Sequence, residues 1–136
     1  MTTTRTLNLR IKLMNAGLIH HITCGNAPIA ITSLTANVTA ANGTTTPQTY
    51  VTLTWNAATD DNGTGEKDVE RYAIYRRLST QTNFDQPIGS IVAGHASYSF
   101  QDSDVQTGQV WVYGVSAQDC TPASSSIVTA SSVTIP

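Results

Sequence analysis

The hexapeptide Tyr50-Val51-Thr52-Leu53-Thr54-Trp55 constrains the fold more than any other part of the chain. Val51, Leu53 and Trp55 fall at every second position with threonines between them, the period of a β-strand that buries one face. An indole closing such an apolar row needs a second layer to cover it, so the hexapeptide predicts two sheets packed face to face. The same alternation recurs downstream. Tyr72 and Ile74 share one face of a strand read over 70–78, with Arg71, Ala73 and Tyr75 on the other. Tyr98 and Phe100 point inward from 97–102, as do Trp111, Tyr113, Val115 and Ala117 from 109–119. Ile31, Leu34, Ala36 and Val38 suit a first strand, and 127–135 suits a last one. The run 88–92, set between Pro87 and Gly94, reads as a short edge strand. Residues 56–69 read as a long polar loop without helical period. Seven short strands and no helix signal predict an all-β sandwich, with Leu53, Trp55, Tyr72, Ile74, Phe100, Trp111, Tyr113 and Val115 in its core.

A chain of 136 residues holds one domain and a short extension. With 12% charged residues and a formal net charge of -2, it lacks the basic field that nucleic acid requires. Abundant Thr and Ser with little Lys suit a secreted β-protein, and no run of 18 apolar residues predicts a membrane helix. Met1-Thr2-Thr3-Thr4-Arg5 does not lead into the apolar stretch of a secretory signal. The expectation is that export is handled elsewhere, or that the chain is a processed or cloned portion of something longer.

Ahead of the sandwich, Leu7, Leu9, Ile11 and Leu13 alternate with Asn8, Arg10 and Lys12. Asn15-Ala16-Gly17 makes a turn, and Leu18-Ile19-His20-His21-Ile22-Thr23-Cys24 returns. The pattern predicts a β-hairpin over 1–26, a unit marginal on its own in water. Its apolar face needs the domain or another subunit, which makes Leu7, Leu9, Ile11, Leu13, Leu18 and Ile19 the candidate assembly interface. Gly25-Asn26-Ala27-Pro28 reads as a hinge between hairpin and domain.

From about residue 27 to 136 the chain resembles a bacterial fibronectin type III domain. The resemblance is carried by Ser33-Leu34-Thr35-Ala36, Val51-Thr52-Leu53-Thr54-Trp55, Tyr72-Ala73-Ile74-Tyr75-Arg76, Tyr98-Ser99-Phe100-Gln101-Asp102, and the run from Val105 through the turn at Gly108 to Ala117. Trp111 departs from the pattern by standing where the family usually has Tyr, so a corner hydroxyl bond to the backbone would have to pass to the indole N–H. An immunoglobulin domain would place its Trp on the third strand and cysteines on the second and sixth, and this chain has neither feature. The resemblance implies a seven-stranded, immunoglobulin-like sandwich. It also implies that the start of the first strand and the loop between the last two strands share one end, so that Cys24 and Cys120 could approach within disulfide range. An even cysteine count in a chain read as extracellular favours that bond over two unpaired thiols. Residues 1–26 are similar to segments of bacterial pilin-like surface proteins, whose apolar N-terminal helix is missing here. That similarity implies a short helical pilin-like partner chain that supplies the helix, or cleavage that removed it.

Sites of chemistry are sparse. His20 and His21 are neighbours on a strand and face opposite ways, so they do not share one ion, and His95 is distant. Asp60, Asp61, Asn62, Glu66 and Asp68 offer hard oxygens to calcium but lack the spacing of an EF-hand. Their plainer reading is a solvated loop with turns at Asn62-Gly63 and Gly65. Asp102, Asp104 and Asp119 stand near strand ends, where Asp caps turns. Tyr75, Phe84 and Arg76-Arg77 form either an outward binding patch or a pair of arginines satisfied by neighbouring carboxylates. No nucleophile elbow, phosphate loop or paired catalytic carboxylate is present in the sequence. The sequence therefore assigns no catalytic residue, cofactor or metal ligand. It predicts a non-enzymatic extracellular or cell-surface module that assembles or displays through the hairpin. The alternative is an accessory spacer or carbohydrate-contacting module of a secreted polysaccharide-degrading enzyme.

Overall fold

A computed structural model describes residues 24–62, 66–121 and 123–136. The hairpin read over 1–26, with its candidate interface residues Leu7, Leu9, Ile11, Leu13, Leu18 and Ile19, lies outside the described residues apart from its last three positions.

Eight strands and one helical turn follow in the order β1 (Thr35–Thr39), β2 (Tyr50–Asn56), α1 (Thr59–Asn62), β3 (Val69–Leu78), β4 (Gly89–Val92), β5 (Ser97–Asp102), β6 (Val110–Asp119), β7 (Val128–Thr129) and β8 (Val133–Thr134). They form two antiparallel sheets. One has the order β1-β2-β5; the other runs β4-β3-β6-β7, with β8 also on β6. Alternation decides which side chains meet between them. Val51, Leu53 and Trp55 from the first sheet oppose Tyr72, Ile74, Tyr113, Val115 and Ala117 from the second, each at most 3% exposed. Trp55 stacks on Tyr98 and meets Tyr72 edge-on, at centroid separations of 5.6 and 5.8 Å. Such aromatic pairs add about 0.5–1.5 kcal/mol beyond the area they bury.

Two aromatic positions sit at the margin of this core. Phe100 and Trp111 are half-buried and pack against it from the side. The Trp111 indole N–H donates to the side-chain oxygen of Gln109 at 3.0 Å, so it does not replace a tyrosine-corner bond to the backbone. The Arg76 guanidinium covers the exposed side of its ring, 4.7 Å from the centroid.

Two departures from the sequence reading have local causes. The polar stretch 56–69 contains the helical turn α1, too short to show a period, with Asp60 and Asp61 in its first turn where negative charge is favoured. The last strand is broken in two. Gly114 pairs with Thr129, but Trp111 pairs with Val133, a slip of one residue that makes a bulge around Ala130. On the outer face of the second sheet, Phe84 from the β3–β4 loop leans on Tyr75, and Arg77 lies over Phe84. Gly114 makes this possible, because a Cβ there would stand 2.4 Å from Ile127 Cγ2 and 3.0 Å from Phe84 Cζ. The Tyr75–Phe84 patch is thus half-buried packing around a glycine.

Candidate functional site

The chemistry-bearing residues gather at one end of the sandwich, where β2 and β6 finish and β3 and β5 begin. Cys24 and Cys120 are joined by a disulfide there, with Cα atoms 5.8 Å apart across 96 residues of sequence. The stretch after Cys24, read from composition as a hinge, is pinned. Asn26 donates its backbone N–H and its side-chain amide to Glu66, Pro28 is buried, and Ile29 N–H donates to Asp60 at 2.8 Å. Polar side chains from the 60–68 loop make these anchors, so that loop is a clamp on the incoming chain as well as a solvated surface.

Asp61 organises the next layer. Its Oδ2 accepts the hydroxyls of Tyr72 and Tyr98, at 2.8 and 2.5 Å, and its Oδ1 accepts Gly94 N–H at 3.0 Å. The same hydroxyls accept backbone N–H groups, Tyr72 from Ala58 and Tyr98 from His95. Burial first, and then the Asp61 carboxylate they donate to, push both phenols above their usual range. Both oxygens of Asp61 are engaged in fastening loops to the core.

A buried carboxylate, Asp102, lies toward the opposite end. Its Oδ2 accepts Tyr113 O–H and Arg76 Nη1, both at 2.8 Å, while its Oδ1 caps Asp104 N–H. Arg76 Nη2 bonds Asp104 Oδ2 at 2.8 Å. Arg76 is therefore held by carboxylates, and it is Arg77 that accompanies Phe84 on the outer face. Asp102 does more than cap a turn, and the alternation Tyr98, Phe100, Asp102 already placed it on the inward face of β5.

The corner beside the disulfide is different. Asp68, just before β3, is 3% exposed, and Asp119, the last residue of β6, is 4% exposed; Val69 and Asp119 are direct partners. Asp119 Oδ1 accepts Thr121 N–H, Thr121 O–H and Ala123 N–H. Neither oxygen of Asp68, nor Asp119 Oδ2, has a hydrogen-bond partner among the described residues. Among the described residues, no three His, Cys, Asp or Glu side chains form a ready metal cage. His95 stands edge-on to Tyr98 with centroids 5.9 Å apart. Sequence reasoning missed the burial of Asp68, which lies outside the alternating runs, and that of Asp119, which continues the inward parity of Tyr113, Val115 and Ala117 but reads as a turn cap at the strand end.

The outer face of the first sheet has another character. Thr35, Asn37, Thr52, Thr54, Asn56, Ser97, Ser99 and Gln101 point outward from its three strands, and none is ionisable. A shallow groove of about 360 Å³ crosses this face between Ser33, Thr35, Thr54, Asn56, Ser97 and Ser99.

Three strands facing five, the last two being halves of one broken strand, in this connection order define a fibronectin type III sandwich. The solved structures agree on the fold. A fibronectin type III-like protein from Clostridium thermocellum aligns over 82% of this chain and 96% of its own, at a TM-score of 0.50 and 21% identity. The twitchin kinase region of C. elegans aligns over 82% of this chain and 17% of its own, at a TM-score of 0.53 and 15% identity. No family model matches the sequence, and no curated protein is detectably similar to it.

Proposed function

We propose that the chain is a non-enzymatic module of the extracellular space or cell surface, a subunit or display domain of a pilus-like assembly in which residues 1–23 make the contact with neighbours. The observation that carries this reading is the Cys24–Cys120 disulfide. It fixes the point where an apolar, strand-patterned segment leaves a rigid sandwich, and it suits an oxidising compartment. The carboxylates of half-buried Asp61 and buried Asp102 hold the structure together, which fits a protein that works by offering surfaces. A second copy of this chain, or a short helical pilin-like chain, is the partner of this reading. Light scattering on the full chain at rising concentration is expected to show oligomers, reduced to monomer by the double change Leu9→Asp and Ile11→Asp. A monomer at all concentrations, alone and with such a partner, overturns it.

A second reading rests on the uncharged outer face of the first sheet. Its hydroxyl and amide groups match the donors and acceptors of a neutral polysaccharide, with no charge to attract an ionic one. As a carbohydrate-contacting module, the chain is expected to sediment with an insoluble neutral glycan. The triple change Thr35→Glu, Thr54→Glu and Ser99→Glu is then expected to abolish binding through charge on an exposed row. Failure of the unaltered chain to sediment ends this reading and leaves the assembly reading untouched.

A further inference from the structure

Carboxylates that are buried without partners are among the most costly groups a fold can contain, and natural structures compensate them with a cation or hydrogen bonds. The disulfide corner holds three such oxygens, both of Asp68 and Oδ2 of Asp119. The surroundings aggravate the cost. Burial chiefly, and then the charges of Glu66, Asp119 and Asp60, hold the Asp68 carboxyl above its usual range. No side-chain cation among the described residues pairs with it. Among the described residues both ion pairs belong to Arg76, at the far end, and Arg71 shares a groove with Asp119 without pairing to it.

We propose that Asp68 and Asp119 bind a calcium ion between the start of β3 and the end of β6. The donor chemistry selects the ion. The unpartnered atoms are all carboxylate oxygens, with no imidazole or thiolate among them, which favours a hard cation over zinc. Two aspartates do not enclose an ion, in keeping with the lack of a ready three-ligand cage. Calcium tolerates this, because it accepts irregular geometry and completes its shell with backbone carbonyls and water, whereas magnesium demands a near-ideal octahedron. A groove of about 220 Å³ lined by Glu70, Arg71, Gln118, Asp119 and Cys120 opens to solvent beside Asp119. The ion would brace the same strand ends that the disulfide ties to the incoming chain.

The test uses the full chain stripped with EGTA, then titrated with calcium chloride while the thermal midpoint and the heat of binding are followed. Saturating calcium is expected to raise the midpoint by on the order of 10 °C, since a ligand at a hundred times its Kd stabilises a small domain to that extent. Magnesium at the same concentration is expected to do less. Asp68→Asn is expected to melt higher than the unaltered chain in EGTA, because it removes a buried charge, and to ignore calcium. Asp119→Asn keeps the Oδ1 acceptor of the Thr121 turn and is likewise expected to lose the response. The proposal is overturned by an unaltered chain that shows neither shift nor heat, by an equal response to magnesium, or by a calcium response that survives in both variants.

Discussion

Above about pH 10 the sandwich is expected to lose stability steeply, in a proton-linked transition. Tyr72 and Tyr113 are fully buried, and each donates its hydroxyl to a carboxylate, Asp61 and Asp102 respectively. Burial first, and the adjoining carboxylate second, push both phenols far above their ordinary value of 10. A folded-state pKa that is raised gives stability that is intact below the unfolded pKa and lost as pH climbs past it. The unfolded chain releases these two protons near pH 10 while the folded chain keeps them. Stability therefore falls by about 1.4 kcal/mol per pH unit for each tyrosine, or about 3 kcal/mol per unit for the pair. Against a typical total of roughly 5–15 kcal/mol, about two to five pH units suffice to unfold the domain. Urea midpoints measured from pH 8 to 12, with phenolate absorbance followed alongside, are expected to show unfolding and ionisation of the buried tyrosines together. Tyr113→Phe is expected to make the slope shallower by one proton. Phenolate from all tyrosines at pH 10 in a chain that is still folded would contradict this account.

Replacing Cys24 and Cys120 by Ser is expected to cost about 4 kcal/mol. The bond closes a loop of 96 residues, for which chain entropy alone predicts nearly 5 kcal/mol and native bonds commonly deliver about 2–5 kcal/mol. Urea unfolding in oxidising and reducing buffer separates the bond from the side chains. The unaltered chain under reductant is expected to match the double Ser variant, and the variant itself is expected to ignore reductant. Limited proteolysis is expected to cut between residues 24 and 30 once the bond is gone, because Glu66 and Asp60 alone would then hold that stretch. An oxidised chain no more stable than the reduced one would show that the loop is closed by packing alone.

Period-two alternation made the strands legible, since Val51, Leu53 and Trp55 or Tyr113, Val115 and Ala117 declare their buried face within one short segment. The two-sheet architecture follows from such rows. What alternation cannot carry is contact between distant segments. Asp61 joins α1 to β3, β5 and the turn at Gly94, residues separated by up to 37 positions, and no local pattern announces a carboxylate that four elements share. Asp68 and Asp119 read as loop and turn residues, yet pairing of Val69 with Asp119 carries both into the interior. The bulge at Ala130 was equally silent, because the apolar positions of 127–135 suit one continuous strand as well as two. Gly25-Asn26-Ala27-Pro28 looked loose by composition and is fastened by partners 30 to 40 residues away.

That slip between Thr129 and Val133 also bears on how the molecule avoids clumping. A long straight rim of unpaired amides is a template for uncontrolled fibril growth, and two-residue pieces offset from one another present no such template. On the opposite rim of that sheet, β4 is four residues long and offers little more. Indiscriminate stacking through the larger sheet is thereby discouraged at both borders, so orderly polymerisation, where it happens, falls to other parts of the molecule.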